Sequence, residues 1–172
     1  MDLKAQLIQS LASLLQGHSS QSLEQKLKST EDLKEFAQLV VSSLAQEKVK
    51  STLTVNHCDR LVHFLKRQGE IQVITGLVSS YSQADFSFSL KLKLISDLMN
   101  IMNDNKAIKT LAINRIFDLS IENKAFGHLY VALQNAKSIL ADLEVQDRRS
   151  IYAKLYKCQK NENQKYIRVI TI

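Results

Sequence analysis

Proline is absent from the 172 residues, and glycine occurs only at Gly17, Gly69, Gly76 and Gly127. Sheet proteins of this length turn the chain many times, and tight turns recruit both residue types. Their scarcity argues against a sheet and predicts helices joined by short polar connections. Cysteine is equally sparse, with Cys58 and Cys158 a hundred residues apart. The opening "MDLKAQLIQSLASLLQG" does not read as a signal peptide, because Lys4 and the Gln and Ser residues interrupt any apolar core segment. Both thiols are therefore expected to be free and buried rather than bridged. No apolar run approaches the roughly 20 residues that cross a bilayer, so the expectation is a cytoplasmic protein with no membrane partner.

What is present is the composition of a folded chain, 45% hydrophobic and 23% charged. The formal net charge is +6, and residues 81–172 carry +5 of it, with fourteen Lys/Arg against nine Asp/Glu. Such a bias favours proximity to nucleic acid or an acidic partner. The plainer reading is a solvated helix face with surplus lysines. No RGG-like tract, RNA-binding aromatic motif or dense Lys/Arg cluster makes RNA contact specific.

Helical stripes run along most of the chain. Leu3, Leu7, Leu11, Leu14 and Leu15 mark a first helix that stops near Gly17, and Leu23 and Leu27 mark a short segment after it. In "STEDLKEFAQLVVSSLAQ", Ser29 or Thr30 is the expected N-cap and Leu33, Phe36, Ala37, Val40, Val41 and Leu44 the apolar face. The next helix is expected from Thr54 or Asn56, through Leu61, Val62, Phe64 and Leu65, to Gly69.

Two segments pull toward strand. "EIQVITGLVSSYS" is rich in β-branched residues, and "FSFSLKLKL" alternates with period two. Neither has strands to pair with, so both are expected to be helical. In the second, Asp85 or Ser87 caps a helix to about Asn103. Leu90, Leu94, Leu98 and Met102 lie on one face, with Ile95, Met99 and Ile101 beside them.

Asn103, Asp104 and Asn105 then form a turn and cap before a stripe of Ile108, Leu111, Ala112, Ile116 and Leu119. Phe126, Leu129, Tyr130, Leu133, Ala136 and Leu140 mark the following helix. Val145, Ile151, Leu155 and Cys158 mark the last, where Tyr152 and Tyr156 are expected to pack. Helices recurring every roughly 18 to 20 residues predict antiparallel hairpins stacked as an α-solenoid. The whole of 1–172 is then one elongated helical-repeat domain, with N-terminal helices over 1–80 and a second part over 81–172.

Chemistry is hard to place on this chain. His57, Cys58 and His63 come closest to a ligand cluster, but they fit no zinc spacing, and positions 57 and 63 lie about 600° apart around a helix. There is no phosphate-binding glycine loop and no nucleophile or zinc-protease motif. Glu31, Asp32 and Glu35 suit a helix start better than acid–base work. Arg148 and Arg149 read as a solvated pair, with an interface role as the alternative. No catalytic, cofactor-binding or metal-binding residue is assigned.

One stretch points to a family. Leu90, Lys91, Leu92, Lys93, Leu94, Ile95, Ser96, Asp97, Leu98 and Met99 match the pattern L-[RK]-L-x-L-[LI]-[SN]-x-L-[FM]. A polar turn at Asn103 to Asn105 and a helix from Thr110 to Leu119 follow, and "IYAKLYKCQKNENQK" ends in a Cys-Lys-rich segment. This order resembles the helical part of PCI-domain proteins, in particular those of translation initiation factor three. It runs from residue 88 to about 163, under half of the chain.

The resemblance implies a non-catalytic scaffold subunit. Its partners would be other PCI and helical-repeat subunits of a large complex, with the small ribosomal subunit engaged indirectly. The PCI subunits of the signalosome and the proteasome lid share the same fold and stand as the alternative, beside a basic helical RNA-binding protein. The family's pattern continues into a winged helix, whereas this sequence ends at "QKYIRVITI", so 81–172 would be the helical part of a truncated PCI-like domain.

Overall fold

The computed structural model describes residues 27–46, 51–125, 141 and 143–161. Among them are six helices and no strand: α1 (Thr30–Gln46), α2 (Ser51–Arg67), α3 (Ile71–Gln83), α4 (Phe88–Ile101), α5 (Lys106–Glu122) and α6 (Val145–Asn161). The fold is all-α. The stripes expected over 3–15 and 126–140, Leu23, the tail from Tyr166, and the side chains of Leu155 and Cys158 lie outside the described residues.

The chain divides into two compact units, Met1–Met102 and Asn103–Ile172. The boundary drawn at 80/81 from sequence falls inside α3, which packs with α4 in the first unit.

In the first unit, α1 contacts α2 and α3, α2 contacts α3 and α4, and α3 contacts α4. The start of α1 is a reciprocal cap: the Asp32 amide donates to Ser29 Oγ at 3.1 Å, and the Ser29 amide donates to Asp32 Oδ2 at 3.2 Å. Its expected face is the observed one, with Leu33, Phe36, Ala37, Val40, Val41 and Leu44 all buried. Phe36 meets Phe64 of α2 edge-to-face, ring centroids 6.2 Å apart, an arrangement worth about 0.5–1.5 kcal/mol beyond burial.

Helix α2 begins at Ser51, ahead of the expected Thr54 or Asn56. Thr54 is no cap. It is buried and opens the core stripe that continues through Cys58, Leu61 and Leu65, so its methyl and its register outweigh its hydroxyl. The helix ends in a two-bond C-terminal motif in which the Glu70 amide reaches Leu65 O and the Gly69 amide reaches Lys66 O. Gly69 takes φ +74 there, a conformation that glycine adopts without a Cβ penalty.

Both strand-like segments are helices. α3 buries Val73, Ile74, Leu77, Val78, Tyr81 and Ser82, and its β-branched residues serve the core. Buried Ser82 is satisfied by donating to the Val78 carbonyl at 2.8 Å. α4 is capped by Ser87 Oγ, which accepts from the Leu90 amide at 3.3 Å. Leu94, Ile95, Leu98 and Met102 are buried, while Leu90, Met99 and Ile101 are half-buried. The Leu-Lys alternation persists in the sequence, but only the four-residue spacing reaches the core.

In the second unit, Asn105 Oδ1 caps α5 by accepting from the Ile108 amide at 3.0 Å. Ile108, Ala112, Ile113, Ile116, Phe117, Leu119 and Ser120 are buried. Leu111, expected in that stripe, is 38% exposed. At 100° per residue the buried positions fill about half of the helix circumference, and Leu111 falls about 60° outside it. Ile113 and Phe117, absent from the expected stripe, fall inside. α6 packs on α5 through buried Ile151 and through Lys154, whose ammonium lies 2.9 Å from Asp118 Oδ1 and donates to Asn114 Oδ1 at 3.2 Å.

Candidate functional site

Three places could carry function, and each follows from how the helices pack. The first is polar and internal. α2 and α3 bring the Cys58 thiol beside the Tyr81 hydroxyl in the core of the first unit. The hydroxyl has no partner at hydrogen-bonding geometry, and its interaction with the thiol is a loose one. Burial pushes the Cys58 thiol up to about 12, opposed in part by Tyr81 and reinforced by Asp59. Burial also raises the Tyr81 phenol well above its ordinary value. Both groups are therefore neutral near neutral pH. A protonated, buried thiol is neither a nucleophile nor a metal ligand.

Asp59, next along α2, is partly buried and faces the Asp97 carboxylate of α4. Desolvation and then Asp97 raise its pKa, while Lys93 and His63 oppose the rise. Lys93 donates to Asp97 Oδ1 at 2.7 Å, and that bond raises the Lys93 pKa. His57 is half-buried, Cys58 sits in the core and His63 is exposed, so these three do not converge. Among the described residues, no group of three or more His, Cys, Asp or Glu side chains could hold a metal ion.

The second place is a groove between α1 and α3. One end is a cleft of about 270 Å³ lined by Thr30, Lys34, Gln38, Gln72, Gly76 and Ser80 among others. A shallower opening of about 560 Å³ continues past Ser42, Ala45 and Gln83. Thr30 Oγ1 donates to Glu70 Oε1 at 3.2 Å, tying the two helix starts together. The charged residues lining the cleft, Glu31 and Lys34, lie 3.6 Å apart on the surface. Glu31 and Asp32 stand in the first turn of α1, where carboxylates favour the helix dipole. The groove offers amide and hydroxyl contacts beside apolar walls from Ala37, Val73 and Leu77, and its Glu31–Lys34 ion pair is exposed to solvent.

The third place is the outer face of α6. Val145 is 52% exposed, Tyr152 47% and Tyr156 65%, although all three were expected to pack. The reason is helical geometry. Val145, Arg149, Tyr152 and Tyr156 share an arc of about 60°, centred some 120° from the buried Ile151. Arg149 is exposed on the same arc.

By class, the chain is an all-helical protein whose described surface presents one groove of mixed polar and apolar lining and one aromatic–basic helix face. It matches no protein-family model, no curated protein and no solved structure. No helix among the described residues is long and apolar enough to cross a membrane.

Sequence reasoning did not single out Tyr81, Asp59, Lys66 or Lys154. Each matters through a partner on another helix, a relationship with no fixed sequence spacing. The Val145–Arg149–Tyr152–Tyr156 arc was readable as a register, but its solvent-facing side was not.

Proposed function

We propose that this chain is a non-catalytic helical scaffold of the PCI-domain type, similar to subunit M of translation initiation factor three. In this reading its helical hairpins stack as an α-solenoid, and it acts by packing against other helical-repeat subunits in a complex assembled on the small ribosomal subunit. One observation carries the reading. The family-like segment, Leu90 to Met99, is a Ser87-capped helix whose Leu94, Ile95 and Leu98 are buried in a layer of helices. The pairing of alternate helices, α1 with α3 and α2 with α4, is what two stacked hairpins require. The neutral, buried state of Cys58 and Tyr81 also suits a packed interior better than a reaction centre.

The test is affinity purification of the tagged full-length protein, followed by identification of its partners. The expected result is initiation factor three subunits together with small ribosomal subunits. Recovery of signalosome or proteasome-lid subunits would move the chain to another PCI complex. Recovery of neither set overturns the proposal.

A further inference from the structure

The outer face of α6 is unusual in what it exposes. Two tyrosines one turn apart stand in solvent, 47% and 65% exposed, with Val145 at 52% behind them. Aromatic side chains normally bury most of their area. The two ring positions are about 6 Å apart along the helix axis, so each presents its own flat surface.

By sequence, the second unit is basic. Residues 103–172 hold twelve Lys/Arg against seven Asp/Glu, whereas 1–102 hold eleven against ten. Three of those acids are already engaged: Glu122 with Arg115 at 3.5 Å, Asp118 with Lys154 at 2.9 Å and Glu144 with Lys106 at 3.0 Å. Arg149 makes no ion pair with any described residue and shares the arc of the tyrosines. Arg148, one residue away, is half-buried and its charge acts on the Glu144 carboxylate. The helix packs on α5 through Ile151 and through Lys154 on Asn114 and Asp118.

From this combination we infer that the Val145–Arg149–Tyr152–Tyr156 face of α6 binds single-stranded nucleic acid. The two tyrosines stack on successive bases while Arg149 meets the backbone phosphates. Exposed aromatics give every base a flat partner irrespective of sequence, and guanidinium groups match phosphate geometry. An acidic protein segment would need a particular apolar side chain for each ring, whereas successive bases supply a flat face to both whatever their sequence. The inference does not rest on the scaffold reading, since it needs only this one helix and its charge.

The test uses the full chain and a short fluorescein-labelled oligouridine, followed by anisotropy from low salt up to about 0.15 M. Binding is expected to weaken as salt rises. Tyr152→Ala and Tyr156→Ala should each weaken it at least about fivefold, and Tyr152→Phe should retain it. Arg149→Ala should flatten the log–log salt slope by about 0.7. Lys34→Ala, on the first unit, should change nothing. All of these side chains are substantially exposed, and circular dichroism of each variant verifies the fold. Matching DNA binding equally well assigns the contact to base and phosphate alone, and preference for RNA adds the 2′-hydroxyl; either supports the inference. No binding at low salt overturns it, as does binding that both tyrosine substitutions leave within twofold. Capture of an acidic peptide by this face, with no oligonucleotide bound, also overturns it.

Discussion

Lys66 on α2 donates a 2.8 Å hydrogen bond from Nζ to the carbonyl oxygen of Ile101, the last residue of α4. That carbonyl belongs to the last turn, which has no partner of its own within the helix. The ammonium satisfies it and places a positive charge at the negative end of the helix dipole. The side chain is part-buried, so its stem also covers apolar surface.

Replacing Lys66 with methionine keeps the stem and removes the donor. Lys66→Met is expected to lower unfolding free energy by about 1–2 kcal/mol. Urea denaturation would show this as a lower midpoint with an unchanged slope.

Two helix ends use the same C-terminal motif with different residues. After α2 the left-handed position is Gly69, and after α5 it is Lys124 at φ 51, with the Ala125 amide on Ser120 O and the Lys124 amide on Ile121 O. A side chain at such a position is strained by about 1 kcal/mol. Lys124→Gly should therefore stabilise the protein by about that amount, and Gly69→Ala should cost a similar amount although no atom lies within 4 Å of the added Cβ. Thermal melts of the two variants should shift in opposite directions.

Gly76, inside α3, has ordinary helical backbone and equally open space around its Cβ position. Gly76→Ala removes backbone freedom from the unfolded chain without a steric cost, and should add about 1 kcal/mol of stability. A loss of stability would mean that the α1–α3 groove closes more tightly than its open walls indicate.

Asp59 sets a pH dependence. Its carboxyl is raised above its ordinary 3.8 by desolvation and by Asp97, so the folded state holds the proton more tightly than the unfolded one. Its stability contribution is fully present below the ordinary value and is lost as pH rises through the raised one. Asp59→Asn should raise the melting temperature near neutral pH and leave it unchanged in acid below that range. An equal gain at both pH values would contradict the electrostatic origin.

Cys58 should be inert in the folded protein. With its thiol pushed up to about 12 and its side chain 1% exposed, alkylation at neutral pH is expected only after unfolding. Peptide mapping by mass spectrometry reads Cys58 separately from Cys158. Rapid labelling of Cys58 in the native protein would refute its placement in the core.

Much of the fold was legible in the sequence because helix periodicity is local. The face of α1, the Asn105 cap and the helical outcome for 71–83 and 88–101 all follow from residues within a few positions of one another. The absence of proline and the scarcity of glycine sufficed to decide against a sheet. Local spacing could not decide which arc of a helix meets a neighbour. Leu111 and Val145 looked like core residues yet face solvent, Thr54 looked like a helix start yet lies buried inside α2, and Tyr152 and Tyr156 looked like packing yet stand exposed. The Cys58–Tyr81 contact, the Asp59–Asp97 repulsion and the Lys66 bond to Ile101 each join residues from different helices. Burial and partnership across helices depend on where the rest of the chain lies, and only the tertiary structure supplies that.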